Sequence, residues 1–490
     1  MRGVLHLMTF GSAGMFALLV PAIMAAIANG EDDMLRAMLV FAFIGVFLTV
    51  VILASISGGR ESSDRAFRYL SLVATWLTVC FLAALSFMVL ADIGFSAALF
   101  EAVSALTTSG GSVLDRENAP LSLLFWRTSL EWYGGFLTLS SIVLVLAPAG
   151  FGGLQSRAGS LLVDKPEAGL YSLTAYGSLM AQYGLVTMAI LLGLVLFGVA
   201  PLDAVMLGMI ASATGGFVPF VGGIEAQIGD GAMTVLGMGL CLGTLSIFWR
   251  RALLRRPGRI FQNSLETKIV ALAISLVSVV YAARIVAVTG NETAPEIFNS
   301  LEEGFFAAAS LVATSGMESR PGVIALLPNI VVLAIIFVGG GVYSTSGGVK
   351  IFRIGAMWIY AIAELNRLIY PNSVARMRFG EATVDTASIQ AIWSYFIIAV
   401  LIIGAGSVLI SLTGTNFEAA IIMAVSLFSN AGPVYEALRP VSAVSDVGWP
   451  LYSSLPGAVT YLIGAIIMFI GRLEVLVVFA VFNIRYWYYR

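Results

Sequence analysis

The chain has 490 residues, 59% of them hydrophobic and 11% charged, against about 25% charged in a soluble globular domain. Its formal net charge is −2, and it carries one histidine, His6, and two cysteines, Cys80 and Cys241. That composition excludes a soluble enzyme, histidine catalysis, a His/Cys metal cluster and a disulfide framework, and no nucleic-acid partner is expected.

A helix needs about 20 apolar residues to cross a bilayer. Ten segments read as able to span: 7–28, 34–56, 67–91, 121–148, 175–199, 229–254, 268–289, 324–350, 386–412 and 456–484. Four shorter apolar stretches lie between them, at 95–108, 201–214, 302–314 and 417–430. The 51 glycines suit close helix contacts and re-entrant turns, since irregular backbone is tolerated at membrane depth only against protein or a cavity. The first segment has a second reading. Arg2, an apolar run and Ala26-Ile27-Ala28 resemble a cleavable signal peptide, whose removal leaves the topology downstream unchanged.

Orientation follows the positive charges in short loops. With both termini cytosolic, 19 of 26 Lys and Arg fall inside: Arg2, Arg60, Arg65, Arg68, Arg157, Lys165, a cluster from Arg250 to Lys268, Lys350, Arg353, Arg367, Arg376, Arg378, Arg485 and Arg490. Most of this basic surface is topology; any excess offers a docking face. Tyr486 to Tyr489 read as an interfacial aromatic belt. The opposite side carries Glu31, Asp32, Asp33, Asp115, Glu117, Glu225, Asp230, Glu292 and Glu296, an acidic rim suited to gathering cations.

Each of the four short stretches ends on that outer side in one pattern: Thr108-Ser109-Gly110, Thr214-Gly215-Gly216, Thr314-Ser315-Gly316 and Asn430-Ala431-Gly432. The last glycines are 106, 100 and 116 residues apart, and Ser104, Ser310 and Ser426 recur six positions before them, with Ile210 the exception. A single Thr-x-Gly turn is an ordinary helix connection. Four in register predict four helix–pore loop–helix units around one axis, with backbone carbonyls replacing the hydration shell of a cation, K+ by the Thr-x-Gly chemistry. Half-helices aimed inward by their C-termini add about −0.5 charge each.

The stretch Gly339-Gly340-Gly341-Val342-Tyr343-Ser344-Thr345-Ser346-Gly347-Gly348 interrupts the eighth segment, where five glycines in ten residues break a helix. A phosphate-cradling loop ending at Lys350 is the rival reading, but the G-x-x-x-x-G-K-[ST] spacing is absent. At membrane depth the stretch reads as an intramembrane gate; the plainer alternative is a break for packing. Arg472, inside the last segment, is too far from the interface to snorkel. A charge there costs several kcal/mol without a cavity or partner. It reads as facing the pore below the filter, with an ion pair to Glu474 or Glu131 as the structural alternative.

These residues carry a family resemblance. Phe125-Trp126-Arg127, the Gly339–Lys350 loop, Glu364-Leu365-Asn366-Arg367-Leu368-Ile369, Ser429-Asn430-Ala431-Gly432-Pro433 and Gly471-Arg472-Leu473-Glu474 resemble the prokaryotic Trk-type potassium transporter pore subunits, the TrkH-like proteins related to Ktr and HKT. The resemblance implies an all-α polytopic protein of the cytoplasmic (inner) membrane: two extra helices in 1–66, then pore repeats in 67–149, 150–260, 261–362 and 363–490. It implies a homodimer in the lipid bilayer, each protomer with its own pore, above a cytosolic TrkA-like regulatory ring that binds the nucleotide. It assigns K+ selection to the glycines Gly110, Gly216, Gly316 and Gly432 of the four tripeptides, and gating to 339–348 and Arg472. Serine at the first of these glycines tends toward sodium in related proteins, and here the residue is Gly110. The expected function is gated K+ uptake. A Na+- or H+-coupled symporter of the same fold is the alternative, although it usually needs intramembrane carboxylates or inverted repeats. A membrane enzyme lacks a convergent titratable set.

Overall fold

The computed structural model describes residues 2–56, 65–146, 173–220, 222–225, 227–246, 265–290, 293–370, 377–380, 382–440 and 448–481. Outside them lie Arg60, Arg157, Lys165, most of the 250–268 basic cluster, Glu292, Arg376 and everything from 482 onward, including the aromatic belt.

Chain order gives helices α1 (Arg2–Ala17), α2 (Leu19–Asn29), α3 (Asp32–Ile56), α4 (Arg65–Leu90), α5 (Phe95–Leu106) and α6 (Leu121–Ser140). They continue as α7 (Leu173–Leu196), α8 (Pro201–Ala213), α9 (Asp230–Thr244), α10 (Leu265–Thr289), α11 (Ala294–Val312) and α12 (Asn329–Val338). Last come α13 (Ile351–Ile369), α14 (Thr386–Leu412), α15 (Phe417–Phe428), α16 (Pro433–Ala437), α17 (Gly457–Arg472) and α18 (Val475–Val481). A π-turn, Ser141–Leu146, extends α6. Among the described residues the extended structure is one antiparallel pair, Arg378–Phe379 with Ala382–Thr383.

The expected unit recurs four times, as α4–α5–α6, α7–α8–α9, α10–α11–α12 and α14–α15–α17. Each holds a long helix, a helix ending in the glycine turn, and a third helix. Leu, Val, Phe and Ile side chains remain exposed along the outer helices α3, α10 and α14, as lipid contact requires. Inside, Ala, Ser and Gly of the short helices are buried, the small residues that let backbones approach.

Seven helical spans are long and apolar enough to cross a membrane among the described residues, against ten expected, and the three others fall short for identifiable reasons. α9 ends at Thr244, where Leu245 turns extended. α12 stops at Gly339, whose φ of 67° no helix continues. The last segment breaks after Arg472, because Glu474 is left-handed at φ 65° while its carboxylate holds Arg353 at 2.7 Å. α11 is longer than the expected 302–314, since Thr293 and Glu296 form a capping box that starts the helix at Ala294.

The first two segments are fastened to the repeats by a carboxylate. Glu31 accepts the Leu121 N–H at 2.9 Å and the Ser122 N–H at 3.2 Å, and also takes the Ser122 hydroxyl. Those are orphan donors of the first turn of α6. Glu31 is therefore a helix cap and leaves the expected acidic rim.

Candidate ion pathway

The four short helices end in the same way. Thr108, Thr214, Thr314 and Asn430 are all left-handed, with φ of 55°, 51°, 58° and 55°. The N–H of each bonds three residues back, to Ala105, Ala211, Leu311 and Leu427, at 3.0 to 3.2 Å. The next N–H reaches five back: Ser109 to Ser104, Gly215 to Ile210, Ser315 to Ser310 and Ala431 to Ser426, at 2.8 to 2.9 Å. This is a Schellman cap, usually built on glycine, here built four times on a residue with a side-chain oxygen. Below two caps a serine ties the strand that follows: Ser104 Oγ donates to the Gly111 carbonyl, and Ser310 Oγ to the Met317 carbonyl at 2.8 Å.

The four glycines close into a ring. A Cβ on Gly110 would strike the Gly216 backbone, and one on Gly216 the Ser315 carbonyl. One on Gly316 would strike Val434, and one on Gly432 the Gly111 nitrogen at 2.6 Å and the Ser109 carbonyl. Gly432 N–H donates to the Ser109 carbonyl at 2.6 Å, joining loop four to loop one. Asn430 Nδ2 reaches Ser109 Oγ at 2.8 Å and the Met468 carbonyl at 3.3 Å.

On one side of the ring opens a cavity of about 680 Å³, lined by Gly110, Gly216, Gly316, Pro433 and the charged Asp115, Arg116, Glu117, Glu318 and Glu436. Asp115 and Glu117 stand there as expected, whereas Glu318 and Glu436 were not among the expected acids. Burial pushes the Glu318 carboxyl up to about 7, against the Ile324 and Gly322 N–H groups that it accepts. Glu436 is raised by burial too; it accepts the Tyr452 N–H at 3.1 Å and faces Arg116 at 3.7 Å. Tyr452 in turn donates its hydroxyl to the Gly432 carbonyl at 2.9 Å.

The glycine-rich stretch lies against the opposite side, every residue from Gly339 to Lys350 buried. Gly347 N–H donates to Thr314 Oγ1 at 2.6 Å, and Thr214 Oγ1 donates to Thr345 Oγ1 at 3.2 Å. A Cβ on Gly347 would meet the Ser429 carbonyl and the Asn430 side chain. The stretch thus touches the caps of loops two, three and four. Thr345 also donates to the Gly243 and Ser212 carbonyls at 3.1 and 3.2 Å, Ser344 to the Gly341 carbonyl at 2.5 Å. Gly339, Gly348 and Lys350 are left-handed, and Lys350 Nζ folds back onto the Ser346 carbonyl and hydroxyl. Gly340 packs on Ser346 and Thr244, and Gly341 takes the Thr244 carbonyl at 3.1 Å.

Arg472 Nε donates to Thr138 Oγ1 at 2.7 Å, and its Nη2 has no hydrogen-bond partner among the described residues. Neither acid named for it forms an ion pair with it: Glu474 holds Arg353, and Glu131 holds Arg127 at 2.5 Å. Sequence reasoning did not find the buried Glu101–Arg127–Glu131 cluster, although arginine and glutamate four apart in an apolar helix were a usable signal.

Four short helices thus meet in one glycine ring, between an acidic cavity and a buried loop, in a helical protein whose described residues include seven spans long and apolar enough to cross a membrane. The comparisons point to cation transport. The family model described as TrkH, cation transport protein, matches residues 38–205. The Trk system potassium uptake protein TrkH of Salmonella typhimurium is 26% identical over 398 residues, 80% of this chain and 79% of that protein. An uncharacterised cation transporter of Methanocaldococcus jannaschii is 25% identical over 402 residues, 79% of this chain and 76% of that one. The crystal structure of the potassium transporter TrkH from Vibrio parahaemolyticus superimposes with a TM-score of 0.82 at 20% identity, covering 99% of this chain and 98% of that one. The chain is thus similar to TrkH-type cation transport proteins, which are transporters and not enzymes.

Proposed function

We propose that this chain is the pore subunit of a Trk-type potassium uptake system in the cytoplasmic membrane, conducting K+ inward down the membrane potential. The ring of four glycines on four identical caps carries the reading. The filter comprises Thr108, Ser109 and Gly110, Thr214, Gly215 and Gly216, Thr314, Ser315 and Gly316, and Asn430, Ala431 and Gly432. In this reading the four repeats are 67–149, 150–260, 261–362 and 363–490. The names of the curated relatives, potassium uptake proteins, support K+ as the ion. A potential of 100 mV supplies about 2.3 kcal/mol per charge, enough to drive K+ accumulation without another coupled ion.

The gate is the loop Gly339–Gly348 with Lys350, held against the caps until displaced, and Arg472 adds a fixed positive charge that opposes cation leak. The amphipathic α13 follows that loop directly and exposes Trp358, Leu365, Leu368 and Ile369. It is suited to receive a homodimer partner or a cytosolic nucleotide-binding ring and to pull on the loop.

The test is K+ flux in proteoliposomes with Na+ as competitor, for the intact protein and Gly110→Ser. Selective flux that loses discrimination in the variant supports the pore and the register of loop one. Equal K+ and Na+ flux in the intact protein overturns the assignment to potassium.

A further inference from the structure

Within the tripeptide, loop two differs from loops one and three at a single position, where Gly215 stands in place of Ser109 and Ser315. Those serines brace their turns. Ser109 Oγ lies 2.8 Å from Thr107 Oγ1 and accepts from Asn430 at 2.8 Å, while Ser315 Oγ donates to the Gly215 carbonyl. No side chain fits at 215, because a Cβ there would run into the carboxylate of Glu131. Backbone strain is not the reason, since Gly215 is absent from the positive-φ residues. The space is already filled by a group from another repeat.

Glu131 comes from α6 and is fully buried. Its Oε1 accepts the Gly216 N–H at 2.9 Å and the Phe217 N–H at 3.4 Å, and its Oε2 takes Arg127 Nη1 at 2.5 Å. Arg127 is equally buried, gives Nε to Glu101 at 2.9 Å, and sends Nη2 toward the Gly111 carbonyl at 3.4 Å. Each peptide unit is planar, so holding the Gly216 and Phe217 N–H groups also fixes the Gly215 and Gly216 carbonyls, which point the other way. A buried charge is retained where its removal leaves partners unsatisfied, and here the unsatisfied groups would be the filter backbone itself.

We propose that Glu131 is the side chain that loop two lacks, a positioning residue that sets cation selectivity by clamping the Gly215–Gly216–Phe217 backbone from the first repeat. The inference rests on reading the four tripeptides as the filter.

The test compares K+ and Na+ flux in proteoliposomes for the intact protein, Glu131→Ala, Glu131→Gln and the double variant Glu131→Ala with Gly215→Ser. Losing a charge-assisted bond to the backbone should lower the K+/Na+ flux ratio about tenfold in Glu131→Ala. Glu131→Gln keeps one acceptor oxygen and should fall between. The double variant returns a side chain to the vacated space and should recover most of the ratio, which a merely structural role for Glu131 does not predict. A Glu131→Ala protein that elutes as the intact one does, with its ratio unchanged, overturns the proposal. Should that variant fail to reconstitute, a folded double variant decides: restored discrimination supports the proposal and absent discrimination overturns it. Lack of K+ preference in the intact protein instead removes the filter reading, and is seen before any variant is compared.

Discussion

The backbone N–H of Gly347 donates to the side-chain oxygen of Thr314 at 2.6 Å, so the buried glycine-rich loop hangs from the cap of its own repeat's short helix. Thr345 repeats the attachment in the second repeat, through Thr214, Ser212 and Gly243. Neutral hydrogen bonds, each worth about 1 kcal/mol, tie this loop, which has no helix of its own, to the caps, while the Glu266 carboxylate accepts its Val342 N–H at 2.7 Å. Such an element suits a two-state switch. Thr345→Ala should therefore raise basal cation flux roughly fivefold per bond lost, and deleting part of 339–348 should raise it further. Unchanged flux in a well-expressed deletion would count against the gate.

Arg472 and Arg353 make a paired test, being two buried arginines of opposite circumstance. Arg353 is matched to Glu474 and stacks on Tyr395 at 4.1 Å. Arg472 has a hydroxyl partner and an unpaired Nη2 among the described residues. Arg472→Ala should yield folded protein with faster cation flux. Glu474→Ala strands Arg353 and should cost about 3–5 kcal/mol, read as lost yield and a lower thermal midpoint. A slower, unstable Arg472→Ala would mean that its charge serves the fold.

Gly216→Ala should fail where most surface glycine changes succeed. The added methyl meets the Ser315 carbonyl and the Pro433 ring, overpacking that costs about 1–3 kcal/mol and displaces the ring. The measurement is the K+/Na+ flux ratio of purified protein; an intact ratio would show that the ring is looser than its contacts indicate.

The architecture was largely legible because it repeats. Apolar lengths separate long from short segments, and alignment on the last glycine of each tripeptide puts the four caps in one register. The ends of α9, α12 and α17 were not legible, because local backbone decided them: an extended Leu245, a left-handed Gly339 and a left-handed Glu474. Charge partners were harder still. Glu31 looked like a rim acid from its place in a polar turn, yet it caps a helix that starts ninety residues later. Arg472 could be found from sequence, since a lone charge in an apolar run stands out. Its partner could not, because which acid faces which arginine depends on how α6, α13 and α17 pack.

Glu31→Ala follows from that cap. Two N–H groups and a hydroxyl at the start of α6 would lose their acceptor, at a cost of about 1–2 kcal/mol. The thermal midpoint of the purified protein should fall while the K+/Na+ flux ratio stays as it was. A change in the ratio would mean that the first two helices bear on the pore.

Glu318 makes the cavity above the ring sensitive to pH. Its carboxyl is raised by burial from 4.5 to about 7, so near neutral pH it is shared between the acid and the anion. Below about 7 the group is mostly protonated and the cavity loses a negative charge; above it, the charge returns and draws cations toward Gly316. The sign for stability is opposite. A carboxyl whose folded pKa is raised binds more protons folded than unfolded, so its contribution is full below 4.5 and is lost as pH rises through about 7. Cation uptake at low, subsaturating concentration should thus fall as external pH drops from 8 to 6, an interval set around the shifted value. In Glu318→Gln that dependence should flatten near the acid-side rate, because the variant carries no charge at any pH. If Glu318→Gln keeps the full pH dependence, the titrating group lies elsewhere, and Glu436, which also lines the cavity and is also raised by burial, becomes the carboxylate to replace.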